Sequence, residues 1–380
     1  VNKQKKIILV VIGTRPEAIK MSPLIHALKE SDMLTACVCV TAQHRQMLDQ
    51  VLDIFSIFPD HDLNIMRPNQ SLTELSVNIL NGVNIFLEKI KPSMVLVHGD
   101  TTTTLMSALA SFYQHIPIAH IEAGLRTGDI NAPWPEEMNR SVVARLASYH
   151  FAPTERARQH LMREGVNASA IWVTGNTVVD SLVWVQKKLN TDANVQITGI
   201  KTLVKSFSKV SRIILVTVHR RESFGQGIFN ICNALIELAK EPNVEIVYPV
   251  HLNPNVSEPV LKMLGPQKNI HLIKPLDYFE FVYLMSVCHL IITDSGGIQE
   301  EAPTFGRPVL VTREVTERQE GVDAGIITMV GTDKDKIIAE AKKLLNNNQD
   351  YSRVASIPNP YGDGKSAKKI VKIIEGFFSA

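Results

Sequence analysis

Residues 290–301 read LIITDSGGIQEE. A short apolar strand breaks at Asp294-Ser295-Gly296-Gly297 and restarts as a helix. Such a turn aims unpaired backbone N–H groups outward at a helix N-terminus, where the dipole favours an anion, usually a phosphate. Gly296 and Gly297 remove Cβ atoms that would hold a phosphate away, although a glycine turn also serves plain chain reversal. Gln299, Glu300 and Glu301 follow in the first helical turn, where carboxylates either cap the helix or grip the ribose hydroxyls of a nucleotide.

Acids stand at other strand ends. Asp100, in His98-Gly99-Asp100, is either the N-cap of the threonine-rich helix start behind it or a catalytic carboxylate. Glu122 closes an otherwise apolar strand. Burying it without a partner or a task is costly, so it either pairs with Arg126 or Arg140 or does chemistry. Glu136 opens a helix after a stiff Pro133-Trp134-Pro135 loop; its spacing to Arg140 suits a surface ion pair, and its place in the chain suits a third acid. Gly13-Thr14-Arg15-Pro16-Glu17 starts another helix, with Arg15 offering a planar fork to phosphate and Lys20 one turn on. Thr41 to Gln46 reads as a polar helix cap or a second binding loop. His219, followed by Arg220 and Arg221, suits anion binding or proton transfer, and Arg318, at a further cleft-facing strand end, is read as substrate-binding. Phe279, Phe281 and Tyr283 fit a helical core face, with one ring available to flank a base.

The elements that must position these residues alternate along the chain. Apolar runs at Ile7–Ile12, Ala36–Thr41, Met94–His98, Pro117–Glu122, Tyr149–Ala152 and Ile171–Thr174 are followed by six more: Ile213–Val218, Val244–Val250, Ile270–Lys274, Leu290–Thr293, Pro308–Thr312 and Ile326–Val330. Helical patterns such as Pro16–Leu28, Leu72–Ile90, Val142–Leu146 and Asp333–Leu345 separate them. Continuous apolar strands divided by helices predict parallel sheets covered on both faces. The fold class is therefore α/β, with two doubly wound Rossmann-like domains facing across a cleft, because ligands bind beyond the carboxyl ends of such strands. The domains are read as 1–174, with a C-terminal helix in 361–380 packing back on it, and 175–360. Thr191–Ser211 reads as a polar surface excursion.

The chain has 380 residues, 45% hydrophobic and 21% charged, with net charge +2, which suits a globular protein and argues against a nucleic-acid footprint. No apolar run approaches the roughly 20 residues of a membrane span. Ile7–Ile12 is too short for a signal-peptide core. Cys37, Cys39, Cys232 and Cys288 lack zinc or redox spacing and read as small buried thiols of a reducing cytoplasm.

Nine segments now fall into one order: GTRPEAIKMSPL, TAQHRQMLDQVL, HGDTTTT, HIEAGLRTGD, PWPEEMNR, TGNTVVD, HRRESFG, PVHLNPNV and DSGGIQEEAP. Together they resemble the bacterial non-hydrolysing UDP-N-acetylglucosamine 2-epimerases, from Gly13 to Gly362. The resemblance implies a glycosyltransferase-B-like fold, a homodimer, and interconversion of UDP-GlcNAc and UDP-ManNAc for surface polysaccharide, with no metal or nicotinamide cofactor. It implies UDP phosphates at Ser295, Gly296, Gly297 and Arg15, ribose at Glu301 and uracil at Phe281. It implies an acid–base group in Asp100, Glu122 and Glu136, with Lys20, Arg140 and His219 as further site residues. In some members UDP-GlcNAc also binds as an activator, which implies Gln43, His44, Gln46 and Gln70 here. Asn69 replaces an arginine of that activator site; Val218, Ala132 and Gln319 are departures that remove no catalytic group. A UDP-sugar glycosyltransferase, a hydrolysing epimerase releasing ManNAc and a non-catalytic nucleotide-sugar sensor are the alternatives.

Overall fold

The computed structural model describes residues 5–41, 45–65, 67, 70–192, 195 and 197–379. They form two compact units, one running to Ser181 and resuming at Tyr361, the other Leu182–Pro360. The division falls inside the helix Thr177–Thr191.

The first unit is built on β1 (Lys6–Ile12), β2 (Leu34–Val40), β3 (His61–Asp62), β4 (Met94–His98), β5 (Ile118–Ile121), β6 (Tyr149–Ala152) and β7 (Ile171–Val173). All pairings are parallel, in the order β3-β2-β1-β4-β5-β6-β7. The second contains β8 (Arg212–Thr217), β9 (Val244–Pro249), β10 (Ile270–Ile273), β11 (Leu290–Thr293), β12 (Val309–Val311) and β13 (Ile327–Met329), parallel in the order β10-β9-β8-β11-β12-β13. Both orders reverse beside their first strand, at β1/β4 and at β8/β11. Loops leave such a junction in opposite directions and open a crevice at the strand ends. Both faces of the central strands are covered: Ile8 to Ile12 and Ile214 to Val216 are essentially inaccessible, which is why these runs carry no polar alternation.

Three details refine the sequence reading. The two-residue β3 adds a thirteenth strand, too short to be heard as an apolar run. The apolar pattern read at Val142–Leu146 and the helix start read at Glu136 are one helix, Glu136–Leu146. The excursion read at 191–211 contains the helix Thr198–Ser206, which buries Ile200. The final helix, Ser366–Ser379, belongs to the first unit. Its Phe377 stacks on Tyr149 with ring centres 4.2 Å apart, and Ser31 Oγ donates to Glu375 at 2.5 Å. No described helix is long and apolar enough to cross a membrane. The four cysteines are free thiols; Cys37 is half-buried and the others buried.

Three buried histidines lie on neighbouring strands: His98 ends β4, His120 lies in β5 and His150 in β6, in register with His120. His120 Nε2–H donates to the Gly99 carbonyl at 2.7 Å. Burial drives their pKa values down from 6.5 to about 4, about 3 and about 4. The unfolded chain takes up protons near pH 6.5, whereas the folded chain resists until near pH 4. Stability is therefore fully present at neutral pH and lost as pH falls through that window, by about 2 kcal/mol per histidine between pH 6.5 and 5. The first thermal transition is expected to fall steeply between pH 7 and 5, and His150→Gln to flatten part of that slope; a midpoint unchanged over this range contradicts the assignment.

Candidate functional site

At β1/β4 the first loop is fastened by a buried carboxylate. Thr14 and Glu17 cap the helix Arg15–Lys29 reciprocally. Glu17 accepts the N–H groups of Gly13 and Thr14 at 3.1 and 2.7 Å and the Thr14 hydroxyl at 2.8 Å. Across the switch point it also accepts the Thr101 hydroxyl at 2.8 Å. Burial raises its pKa, and the hydroxyl and amide donors oppose that rise. A Cβ on Gly13 would overlap Thr103, so this approach demands glycine. The threonine run thus serves as donors that lock two loops, with Thr101 as the N-cap of the helix Thr102–Tyr113.

Glu122 follows β5 with φ 60°, a left-handed conformation that a branched-chain-free acid tolerates only at a cost. Its side chain is 8% exposed. Oε2 forms an ion pair with Lys20, accepts Asn176 Nδ2–H at 2.7 Å and lies 3.8 Å from His98 Nε2. The expected pairing with Arg126 or Arg140 is not what holds it. Arg126 forks onto Glu164 at 2.7 and 2.8 Å. Arg140 reaches Asp100 Oδ2 at 2.9 Å and Glu137 Oε2 at 3.3 Å. Nor does Arg140 take the default pair with Glu136; its Nε reaches the Glu136 carbonyl at 3.4 Å. The planar guanidinium serves two acids at once, Asp100 after β4 and the buried Glu137 on its own helix. Glu137 Oε1 accepts the N–H groups of Thr127 and Gly128 at 3.0 and 3.2 Å, while Asn139 Nδ2–H donates to the Asp100 carbonyl at 2.8 Å. Asp100, Glu122, Lys20 and Arg140 are thus held by partners at the ends of β4 and β5, with half-buried Glu136 opening the helix Glu136–Leu146 and half-buried Arg15 opening its own.

At β8/β11 the fully buried Asp294 performs a similar task. It accepts the N–H groups of His219 and Arg220 at 2.8 and 2.7 Å, and its other oxygen stands 3.2 Å from His219 Nδ1. Burial lowers the His219 pKa, with Asp294 opposing that shift. Ser295 makes no side-chain cap to the short helix Gly296–Glu301, which a 3₁₀ turn continues. Arg318 Nε donates to Glu300 at 3.0 Å and its Nη1 pairs with Glu317. Although burial pushes Glu317 up, Arg318 and Arg313 hold its pKa down to about 2. A Cβ on Gly296 would come within 3.0 Å of Arg318 Nη1, so the guanidinium rests against that glycine. Of the three residues read as caps or ribose grips, Gln299 accepts the Thr316 hydroxyl at 2.6 Å and Glu300 holds Arg318. Glu301 accepts from Tyr278 at 3.4 Å, and Phe281 is half-buried in the helix Tyr278–Val287.

Gln43 and His44 lie outside the described residues, as does the side chain of Gln46; Asn69 is also outside. Gln70 is half-buried and its Oε1 accepts the Arg67 N–H at 3.1 Å. Among the described residues no group of three His, Cys, Asp or Glu side chains is arranged to hold a metal ion. Residue reading missed Glu17, Glu137, Asn139, Asn176 and Asp294. All five lie inside the quoted motifs as apparent helix caps or turn residues, and only a buried polar residue beside a strand end signals the difference.

Two doubly wound sheets with polar clusters at both switch points define the class of Rossmann-like α/β enzymes. Comparison with known proteins narrows this. The family model described as UDP-N-acetylglucosamine 2-epimerase matches residues 26–375. The UDP-N-acetylglucosamine 2-epimerase of Salmonella typhimurium is 55% identical over 371 residues, 97% of this chain and 98% of that protein. The solved UDP-GlcNAc 2-epimerase of Neisseria meningitidis, bound to UDP-GlcNAc, superposes with a TM-score of 0.89 at 49% identity, covering 97% of this chain and 100% of that one. The enzyme of Methanocaldococcus jannaschii, in complex with UDP-GlcNAc and UDP, gives 0.80 at 33% identity over 97% and 99%. The chain belongs to the UDP-N-acetylglucosamine 2-epimerase family.

Glu17→Ala is expected to leave buried donors on two loops unsatisfied and to cost about 3 kcal/mol or more in urea unfolding. A loss below about 1 kcal/mol, typical of an exposed cap, would show that the carboxylate is not the fastener of these loops.

Proposed function

We propose that this enzyme interconverts UDP-GlcNAc and UDP-ManNAc by eliminating UDP and adding it back. The C2 proton of the sugar is not next to a carbonyl, so its direct removal is too costly. As UDP leaves C1, positive charge develops there and C2–H becomes acidic. A base takes that proton, the C1–O bond electrons depart with UDP, and the C1–C2 double bond of 2-acetamidoglucal forms. Re-adding UDP at C1 with a proton on the opposite face of C2 inverts that centre. Proton removal and delivery on two faces requires at least two acid–base groups.

In this reading Ser295, Gly296, Gly297 and Arg15 hold the diphosphate, Glu301 the ribose and Phe281 the uracil. Preorganised charge at the leaving group is then the larger electrostatic contribution. Arg318, already engaged by Glu300 and Glu317, supports the turn from behind Gly296. Asp100, Glu122 and Glu136 form the proton-transfer pool. The observation that carries the reading is Glu122, a nearly buried acid in a left-handed conformation at the end of β5, facing the Lys20 ammonium. An opposite charge favours the ionised carboxylate, the form a base needs. His219, ordered by Asp294, belongs beside the departing phosphate.

A homodimer is also proposed: Val77, Ile85, Phe112 and Tyr113 leave apolar surface exposed on two helices of the first unit. UDP-GlcNAc as an activator through Gln43, His44, Gln46 and Gln70 is the further proposal from family likeness, weakened by Asn69. The free thiols fit a cytoplasmic enzyme, and the product suits surface-polysaccharide synthesis.

Incubation with UDP-GlcNAc in D₂O is expected to give UDP-ManNAc carrying deuterium at C2, with no acceptor sugar needed. Free ManNAc would instead mark a hydrolysing enzyme, and product without deuterium would sink the elimination scheme. Glu122→Gln and Asp100→Asn should each lower kcat by about 10²-fold or more. Gly296→Ala should displace Arg318 and weaken UDP binding by about tenfold or more in calorimetry, about 1.4 kcal/mol.

A further inference from the structure

We infer that Asn176 is the positioning residue for the Glu122 carboxylate, the group that fixes its direction where Lys20 supplies its charge. This rests on the reading of Glu122 as the group that accepts the C2 proton. Asn176 stands between β7 and the helix Thr177–Thr191 and is 2% exposed. Its side-chain oxygen accepts the Val178 N–H at 3.0 Å, as an N-cap does. That bond settles which end of the amide is which, so the N–H end is the one facing Glu122 Oε2 at 2.7 Å.

The amide is itself fixed from two sides. The Asn176 backbone N–H donates to the Tyr361 carbonyl at 2.6 Å, where the chain re-enters the first unit. One turn further on, Asp180 accepts the N–H groups of Ser366 and Ala367 at 3.1 and 2.9 Å, tying the same helix to the start of Ser366–Ser379. Gly175 permits this contact: it has φ 89°, and a Cβ there would press on Ser366 Oγ at 2.6 Å.

A lysine ammonium is a point charge on a flexible stem, with three donors that rotate. It can stabilise a carboxylate without choosing its plane. A planar amide capped at its far end offers one N–H along one line. Glu122 also lies beyond its strand in a left-handed conformation, so the β ladder does not orient it. Among the described residues, the titratable groups facing it are Lys20 from the helix Arg15–Lys29 and His98 from β4, which burial keeps neutral down to about pH 4. Asp100, at the end of β4, is engaged by Arg140 of the helix Glu136–Leu146. The His98 charge therefore stays constant through the range in which an acid limb of the rate profile is read.

The test compares Asn176→Ser and Asn176→Asp, both of which keep an oxygen to cap the helix. Epimerisation of UDP-GlcNAc is followed from pH 5 to 9 alongside the thermal midpoint. Losing the N–H donor disfavours the ionised carboxylate, so the acid limb of kcat should move up by about one pH unit, further in the aspartate variant where a like charge is added. At pH 7 kcat should fall by about tenfold or more while KM stays within about threefold. If both variants lose thermal stability but keep the wild-type acid limb and kcat per folded molecule, Asn176 is a helix cap and the inference fails. Glu122→Gln, measured in parallel, separates the two readings. An inactive Glu122→Gln beside unmoved Asn176 profiles overturns the positioning role alone, whereas an active Glu122→Gln removes the assignment of Glu122 and the inference with it.

Discussion

A carboxylate at the end of a parallel strand, shielded from water, must be matched by a cation and by directed donors. Removing one member of such a pair typically costs about 3–5 kcal/mol, a large part of the stability of a whole domain. Glu122 is in that position, and its environment answers it with the Lys20 ammonium and the Asn176 amide. Those two groups come from the helix after β1 and from the turn after β7, so meeting the electrostatic demand of one acid constrains both the middle and the edge of the sheet. Asp100 is met in a similar way by Arg140, from the helix that also carries Glu136 and Glu137.

The two units reach similar solutions with different residues. In the first, Glu17 collects the N–H groups of the loop after β1 and ties it to the loop after β4. In the second, Asp294 at the end of β11 collects the N–H groups of the loop after β8. Each carboxylate bridges the two strands at which the sheet order reverses. Backbone amides cannot pair along the ladder there, because the loops diverge. A buried acceptor with several lone pairs satisfies them and keeps the crevice open.

In the proposed elimination, charge already in place when the bond breaks spares the cost of reorganising solvent. Mutual neutralisation among buried groups serves that end. Arg318 is balanced by Glu300 and Glu317, and Glu122 by Lys20. In that proposal an anion beside Ser295–Gly297 meets a turn whose Gly296 rests against the Arg318 guanidinium.

The alternation of apolar runs and helices was enough to establish two parallel-sheet units, because burial on both faces leaves an unbroken hydrophobic signature in each strand. The polar residues that end those strands were legible as well: Asp100, Glu122, His219 and Ser295 interrupt that signature where it should continue or stop cleanly. Which partner each charge takes was not legible. Glu122 could have gone to Arg126 or Arg140 on spacing alone, yet it faces Lys20, 102 positions away in the chain. Glu136 and Arg140 have helix-pair spacing, yet Arg140 turns to Asp100 and Glu137. Local spacing reports only which groups can meet along one element. The strand order, set by packing both sheets' faces, decides which loops stand side by side, and the cost of leaving a buried charge unmatched then selects among them.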